Sequence, residues 1–107
     1  MSRPLEGIRV LDLTMALAGP YASFILANMG AEVIRIEAPH SCDGARNSPP
    51  FLGPRGWNHG APQPDEVSLS VIDRARNKQS VTLNLKTAQG GRCSWNWCKS
   101  VMWCWRT

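Results

Sequence analysis

The stretch IRVLDLTMALAGPYASFILANMGAEVIRIE, Ile8 to Glu37, decides how the chain folds. Ile8, Val10, Leu11 and Leu13 make a short apolar run rich in strand formers. The turn Ala16-Leu17-Ala18-Gly19-Pro20 follows it directly and launches a helix. Gly19 is suited to the N-cap, and Pro20 to the first helical position, where a missing N–H costs nothing. Tyr21, Phe24, Ile25, Asn28 and Met29 then recur at helical spacing. Gly30 lacks a Cβ and can take the left-handed conformation that ends a helix, after which Glu32–Glu37 reads as a second strand. Two strands bracketing one helix form a βαβ unit, and a right-handed crossover makes the strands parallel.

Outward from this unit, Pro4-Leu5-Glu6-Gly7 is a turn that delivers the chain into the first strand. Between Ala38 and Val67 lie six of the eight prolines and four of the nine glycines, with few apolar residues and no period. This stretch is expected to be one long Pro/Gly-rich loop, of a length that is usually functional or disordered in isolation. Order should return with Val67, Leu69, Val71 and Ile72, ahead of the basic run Arg74-Ala75-Arg76-Asn77-Lys78. Ser80–Leu85 alternates with period two and predicts a third strand with Val81, Leu83 and Leu85 on one face. Lys86-Thr87-Ala88-Gln89-Gly90 reads as a strand exit and the cap of another helix. The class is therefore α/β.

With 107 residues there is room for one domain, which could bury about 60 to 65% of the unfolded chain's surface and would be marginally stable alone. The net charge of +4 is scattered, which indicates neither a nucleic-acid tail nor a membrane patch. No apolar run is long enough to span a membrane, and no signal-peptide core is visible, so the cytoplasm is the expected location.

Beyond Gly90 the composition changes. Residues 91–107 hold Trp95, Trp97, Trp103 and Trp105, four of the five tryptophans, and Cys93, Cys98 and Cys104, three of the four cysteines. The cysteine spacing is not that of a zinc knuckle or a Cys-x-x-Cys redox pair, and His40 and His59 lie far back, so no metal site is assigned. Nothing marks the chain as secreted, which disfavours a disulfide scaffold. Tryptophan has a single codon, TGG, and a Trp/Cys cluster is what GTG, CTG and GAG codons give when read out of frame. Back-translation in the shifted frame yields an amphipathic helix followed by an apolar strand resembling Asp-Val-Val-Leu-Glu-Asn. The loss of one base at the Gly90 codon would suffice. The expected organisation is a native part, 1–90, and a frame-shifted tail, 91–107.

Four segments, PLEGIRVLDLT, ALAGPYAS, NMGAEVIRIEAP and RNKQSVTLNLKTAQG, resemble in order and spacing the N-terminus of the class III CoA-transferases. That family includes formyl-CoA, carnitine and α-methylacyl-CoA racemase members, and the resemblance runs from Pro4 to Gly90. It implies the Rossmann-like N-terminal βαβ portion of such an enzyme. It also implies that coenzyme A is a thioester substrate rather than a resident cofactor, and that CoA lies against Leu17 and Ala18. Formyl-CoA transferases carry glutamine where this chain has Leu17, which argues against oxalate as acceptor. Leu83, Asn84, Leu85 and Lys86 match a CoA-contacting segment, Arg76-Asn77-Lys78 matches a basic turn, and Ala38 replaces an arginine. Arg76 and Lys78, with Arg74, could thus meet the CoA phosphates, although charges before a strand are commonly just solvated.

The family's nucleophile is an aspartate beyond residue 107. It attacks an acyl-CoA thioester, passing through mixed anhydrides and an aspartyl-CoA thioester before CoA reaches the acceptor acid. Asp12, Asp43, Asp65 and Asp73 are poor substitutes, because one lies in a strand and the others at turns where capping and solvation are ordinary roles. No catalytic residue is therefore assigned, and the chain is expected to be an inactive fragment of an enzyme that acts as an interlocked homodimer on an acyl-CoA and a carboxylic acid. Glu37 stands where a dinucleotide fold puts its ribose-binding acid, but the three-glycine fingerprint is absent. Three alternatives stay open: a small non-enzymatic CoA- or nucleotide-binding module, a metal-binding or redox tail, and a racemase of the same family.

Overall fold

The computed structural model describes residues 1–40 and 43–101, together with the backbone of 103–105. Strands β1 (Arg9–Asp12), β2 (Glu32–Glu37), β6 (Lys78–Thr82) and β7 (Trp103–Trp105) form one parallel sheet in the order β6-β2-β1-β7. Helix α1 (Ala18–Asn28) connects β1 to β2, α2 (Leu69–Arg74) precedes β6, and α3 (Ala88–Ser100) connects β6 to β7. Val10 pairs with Val33 across β1 and β2, and these two pack with Ala27 and Ala31 as the core, with Leu5, Ile8 and Leu26 against its edge.

Three local differences from the sequence expectation have identifiable causes. Helix α1 begins at Ala18 with Leu17 as N-cap, so Pro20 sits later in the first turn, still where its missing N–H is harmless. Gly19 is required for another reason: a Cβ there would lie 2.3 Å from Thr14 Cβ. Second, α1 turns its small residues inward. Gly19, Pro20, Ser23 and Ala27 are buried, whereas Tyr21, Ile25 and Met29 are exposed. Close approach of helix to sheet selects small side chains, and the bulky stripe faces outward. Third, β6 starts and ends earlier than Ser80–Leu85. Asn84 ends it, because its side-chain oxygen accepts the Lys86 N–H at 3.1 Å in a local turn.

The helix terminus agrees with its expectation. Gly30, at φ +106°, donates its N–H to Ala27 O, and Ala31 donates to Leu26 O, both at 3.1 Å. These two bonds make a Schellman motif.

The expectation of one structureless loop from Ala38 to Val67 is corrected. A 3₁₀ turn (Gly44–Asn47) leads into an antiparallel sheet of order β4-β3-β5, with β3 at Phe51–Gly53, β4 at Gly56–Asn58 and β5 at Val67–Ser68. Phe51 is its one buried anchor among the large apolar residues, and strands of two or three residues are too short to leave a period in the sequence. Leu52 pairs with Trp57 and with Val67, and all three are exposed.

Candidate functional site

The carboxyl ends of β1, β2 and β6 open onto a cleft of about 520 Å³. Its walls are residues 13–15 after β1, 35–40 and Asp43 at and after the end of β2, and 83–86 after β6. In open parallel sheets, ligands bind at this edge, because the loops diverge there and leave backbone groups unpaired.

Beneath the cleft lies a buried polar network. Asp12, fully buried, accepts from the Thr14 hydroxyl (2.6 Å), the Thr14 N–H (3.0 Å), the Ser23 hydroxyl (2.5 Å) and the Lys78 ammonium (3.2 Å). Lys78 Nζ also donates to Pro20 O at 2.7 Å and Ser23 Oγ at 2.8 Å, which uses its three donors. Burial alone would push the Asp12 carboxyl up, but the hydrogen bonds from Ser23 and Thr14, with the Lys78 charge, hold it below its ordinary value. Desolvation pushes the Lys78 ammonium below its ordinary value, and Asp12 offsets only part of this. The network ties β6, β1 and the first turn of α1 together, and so fixes where the cleft's floor begins.

A second set of charges closes the wall after β2. Arg46 clamps the Glu37 carboxylate bidentately, at 2.8 and 2.6 Å, and the Ser80 hydroxyl donates to the same carboxylate. The Arg46 hydrogen bonds, against the cost of burial, hold the Glu37 carboxyl at about 2. Arg35, almost fully buried, pairs with Asp43, which also caps the 3₁₀ turn through the Ala45 N–H at 3.1 Å. Glu37 therefore lines the cleft with its oxygens already engaged, which suits a structural anchor better than a ribose ligand.

The structure distributes the sequence-derived residues unevenly. Leu83, Asn84, Leu85 and Lys86 line the cleft together. Leu17 and Ala18 are exposed at the start of α1, just beyond Met15 in the cleft wall. Arg76 points elsewhere: its guanidinium lies 5.1 Å from the Phe24 ring centroid and 4.0 Å from Asp73. The Lys78 side chain is only 1% exposed and is committed to Asp12, which removes it from the surface that a ligand reaches. Sequence reasoning missed Arg35 and Arg46, whereas Asp43 caps a turn as its sequence position suggested. Their signal was an arginine inside an apolar strand followed by two acids and a second arginine, a pattern easily read as solvated charge. His40 is exposed at the cleft.

Sequence comparison supplies the context for this geometry. Residues 5–98 match the profile of CoA-transferase family III. The chain is 42% identical over 89 residues to human succinyl-CoA:glutarate CoA-transferase, covering 82% of this chain and 18% of that protein. It is 41% identical over 87 residues to the alpha subunit of succinyl-CoA–L-malate CoA-transferase of Chloroflexus aurantiacus, covering 81% of this chain and 18% of that one. A CAIB/BAIF family protein from Brucella suis superimposes with a TM-score of 0.80 at 25% identity, over 97% of this chain and 25% of the other. The chain thus spans about a fifth of the length of the curated relatives it matches. With the parallel βαβ sheet in place and the profile match running over residues 5–98, the chain belongs to CoA-transferase family III.

Proposed function

We propose that this chain is the CoA-recognising portion of a class III CoA-transferase, which moves CoA from an acyl-CoA thioester to a carboxylic acid. The observation that carries the reading is the convergence of residues 13–15, 35–40 and 83–86 on one cleft at the carboxyl edge of the parallel sheet. Lys86, exposed at the mouth, supplies a positive charge for a phosphate, while Leu83 and Leu85 offer apolar contact to pantetheine. The succinyl-CoA relatives favour a dicarboxylate acceptor. In this scheme the remote contacts to CoA hold the thioester so that binding energy serves the acyl-transfer step. A homodimer and a cytoplasmic location belong to the same proposal, as does a frame-shifted origin for residues 91–107, which resequencing from the Lys86 codon onward tests directly.

The carboxylates at and beneath the cleft, and Asp65 on the small sheet's side, are already engaged. Asp12 is buried in its network, Asp43 holds Arg35, Glu37 holds Arg46 and Ser80, and Asp65 pairs with Arg55 at 3.1 Å. Binding without turnover is therefore the expected property of the 107-residue chain. Titration with CoA, followed by amide chemical shifts, should perturb residues 13–15, 35–40 and 83–86, and Lys86→Glu should weaken the binding. Absence of any shift, or shifts confined to the Arg76 side of α1, would refute the assignment.

A further inference from the structure

The turn between β1 and α1 holds an alanine in a conformation that alanine disfavours. Ala16 has φ +63°, and the other described non-glycine residue with positive φ is Asn77, at +61°. Asparagine tolerates this region, and Asn77 is further secured by a 2.9 Å bond from its Nδ2 to Ala27 O. Ala16 has no polar side chain with which to do the same. In the left-handed region its Cβ crowds the following carbonyl oxygen.

What secures Ala16 comes from a distant part of the chain. Arg74, the last residue of α2, donates from Nη1 to Ala16 O at 3.1 Å and from Nε to Ser70 O at 3.1 Å. One planar guanidinium is thereby fixed to its own helix and to the turn at once. A hydrogen bond from a charged donor is stronger than one from a neutral donor, and this one opposes the strain. Met15, immediately before Ala16, lines the cleft, and Leu17 and Ala18 follow. We propose that Arg74 is a positioning residue that clamps the Ala16 carbonyl and thereby sets the lip of the cleft, rather than meeting a phosphate itself. The consequence for CoA rests on the function proposed above; the clamp does not.

The two roles separate experimentally because glycine at position 16 carries no penalty for the left-handed conformation. Arg74→Met, Arg74→Lys, Ala16→Gly and Arg74→Met/Ala16→Gly would each be examined in the full 107-residue chain. One readout is amide hydrogen exchange at residues 15–18, and the other is the dissociation constant for CoA. A clamp predicts that Arg74→Met speeds exchange at residues 15–18 by about tenfold and weakens CoA by a similar factor, corresponding to about 1.4 kcal/mol. It also predicts that Ala16→Gly restores much of both, and that Arg74→Lys, which lacks the fork, restores little. A direct phosphate contact predicts the reverse: unchanged exchange, no rescue by glycine, and substantial affinity retained by lysine. Unchanged exchange in Arg74→Met overturns the clamp. If the parent chain binds no CoA while exchange still responds as described, the clamp stands and the proposed function fails.

Discussion

At the scale of single residues, the floor of the cleft rests on groups closed off from solvent. Lys78 and Asp12 form an ion pair in which both side chains are essentially without solvent, at 1% and 0% exposure. Such a pair is weak grounds for stability as a whole, yet removing one partner strands the other. Lys78→Met should therefore cost about 3–5 kcal/mol, enough to unfold a marginal domain, and loss of the cooperative urea transition is the expected result. Ser23→Ala is the graded companion. It removes one acceptor from Lys78 and one donor to Asp12, and should shift the urea transition by about 1–3 kcal/mol without abolishing it. Gly19→Ala tests packing instead of charge. Its Cβ would overlap Thr14, for which overpacking costs about 1–3 kcal/mol, while the better helix propensity of alanine returns about 1 kcal/mol at most. A lowered melting temperature is expected, and an unchanged one would mean that the β1–α1 turn yields.

At the scale of elements, charge joins the buried Phe51 and Ala45 in holding the segment after β2. The Glu37 carboxyl falls from 4.5 to about 2 on folding, so its anchoring is fully present above pH 4.5 and is lost as pH falls toward 2. Asp12, also held low, contributes in the same direction. Urea midpoints measured across this window should fall as pH falls, and Glu37→Gln should flatten part of that slope while leaving the part due to Asp12. Helix α1 makes the complementary point. Ile25→Gln, on the exposed stripe, should change stability by no more than about 0.5 kcal/mol, whereas Ala27→Leu, on the fully buried face, should cost about 1–3 kcal/mol. The sequence made the βαβ unit legible because apolar runs, the Gly30 stop and the strand period are local signals. It did not reveal which face of α1 lies inward, because large apolar side chains at helical spacing look like a core stripe whether or not anything covers them. The small antiparallel sheet escaped for another reason: Phe51 is a lone anchor, and strands of two or three residues are too short to show a period, even where β3 and β4 are joined by only Pro54-Arg55. In the cleft, residues 83–86 were legible through the family resemblance. Lys78 was legible as a basic residue, but not as one turned under the sheet.

At the scale of the whole molecule, surface is the telling quantity. A folded monomer of 11.8 kDa ordinarily exposes roughly 5,900 Å², and this chain exposes 7023 Å² with principal extents of 43 × 42 × 21 Å. The excess, on the order of 1,000 Å², is comparable to one side of a standard protein interface. Part of it is apolar: Leu17, Tyr21, Ile25 and Met29 follow one another at four-residue spacing along α1, and Leu52, Trp57 and Val67 line up across the small sheet. A slab of this kind can shape one side of a cleft, but it leaves that side open to water. Acyl transfer through an anhydride needs a free carboxylate held against the thioester and water kept away from it. Among the described residues the buried carboxylates Asp12 and Asp43 are engaged by Lys78, Arg35 and backbone donors. The 107-residue chain should accordingly retain CoA while giving no exchange of CoA between succinyl-CoA and glutarate, as measured by the appearance of glutaryl-CoA in a chromatographic assay. Turnover above the uncatalysed rate would show that one of these carboxylates leaves its partner in the presence of substrate, and Asp43, at the cleft wall, would then be the first to replace with asparagine.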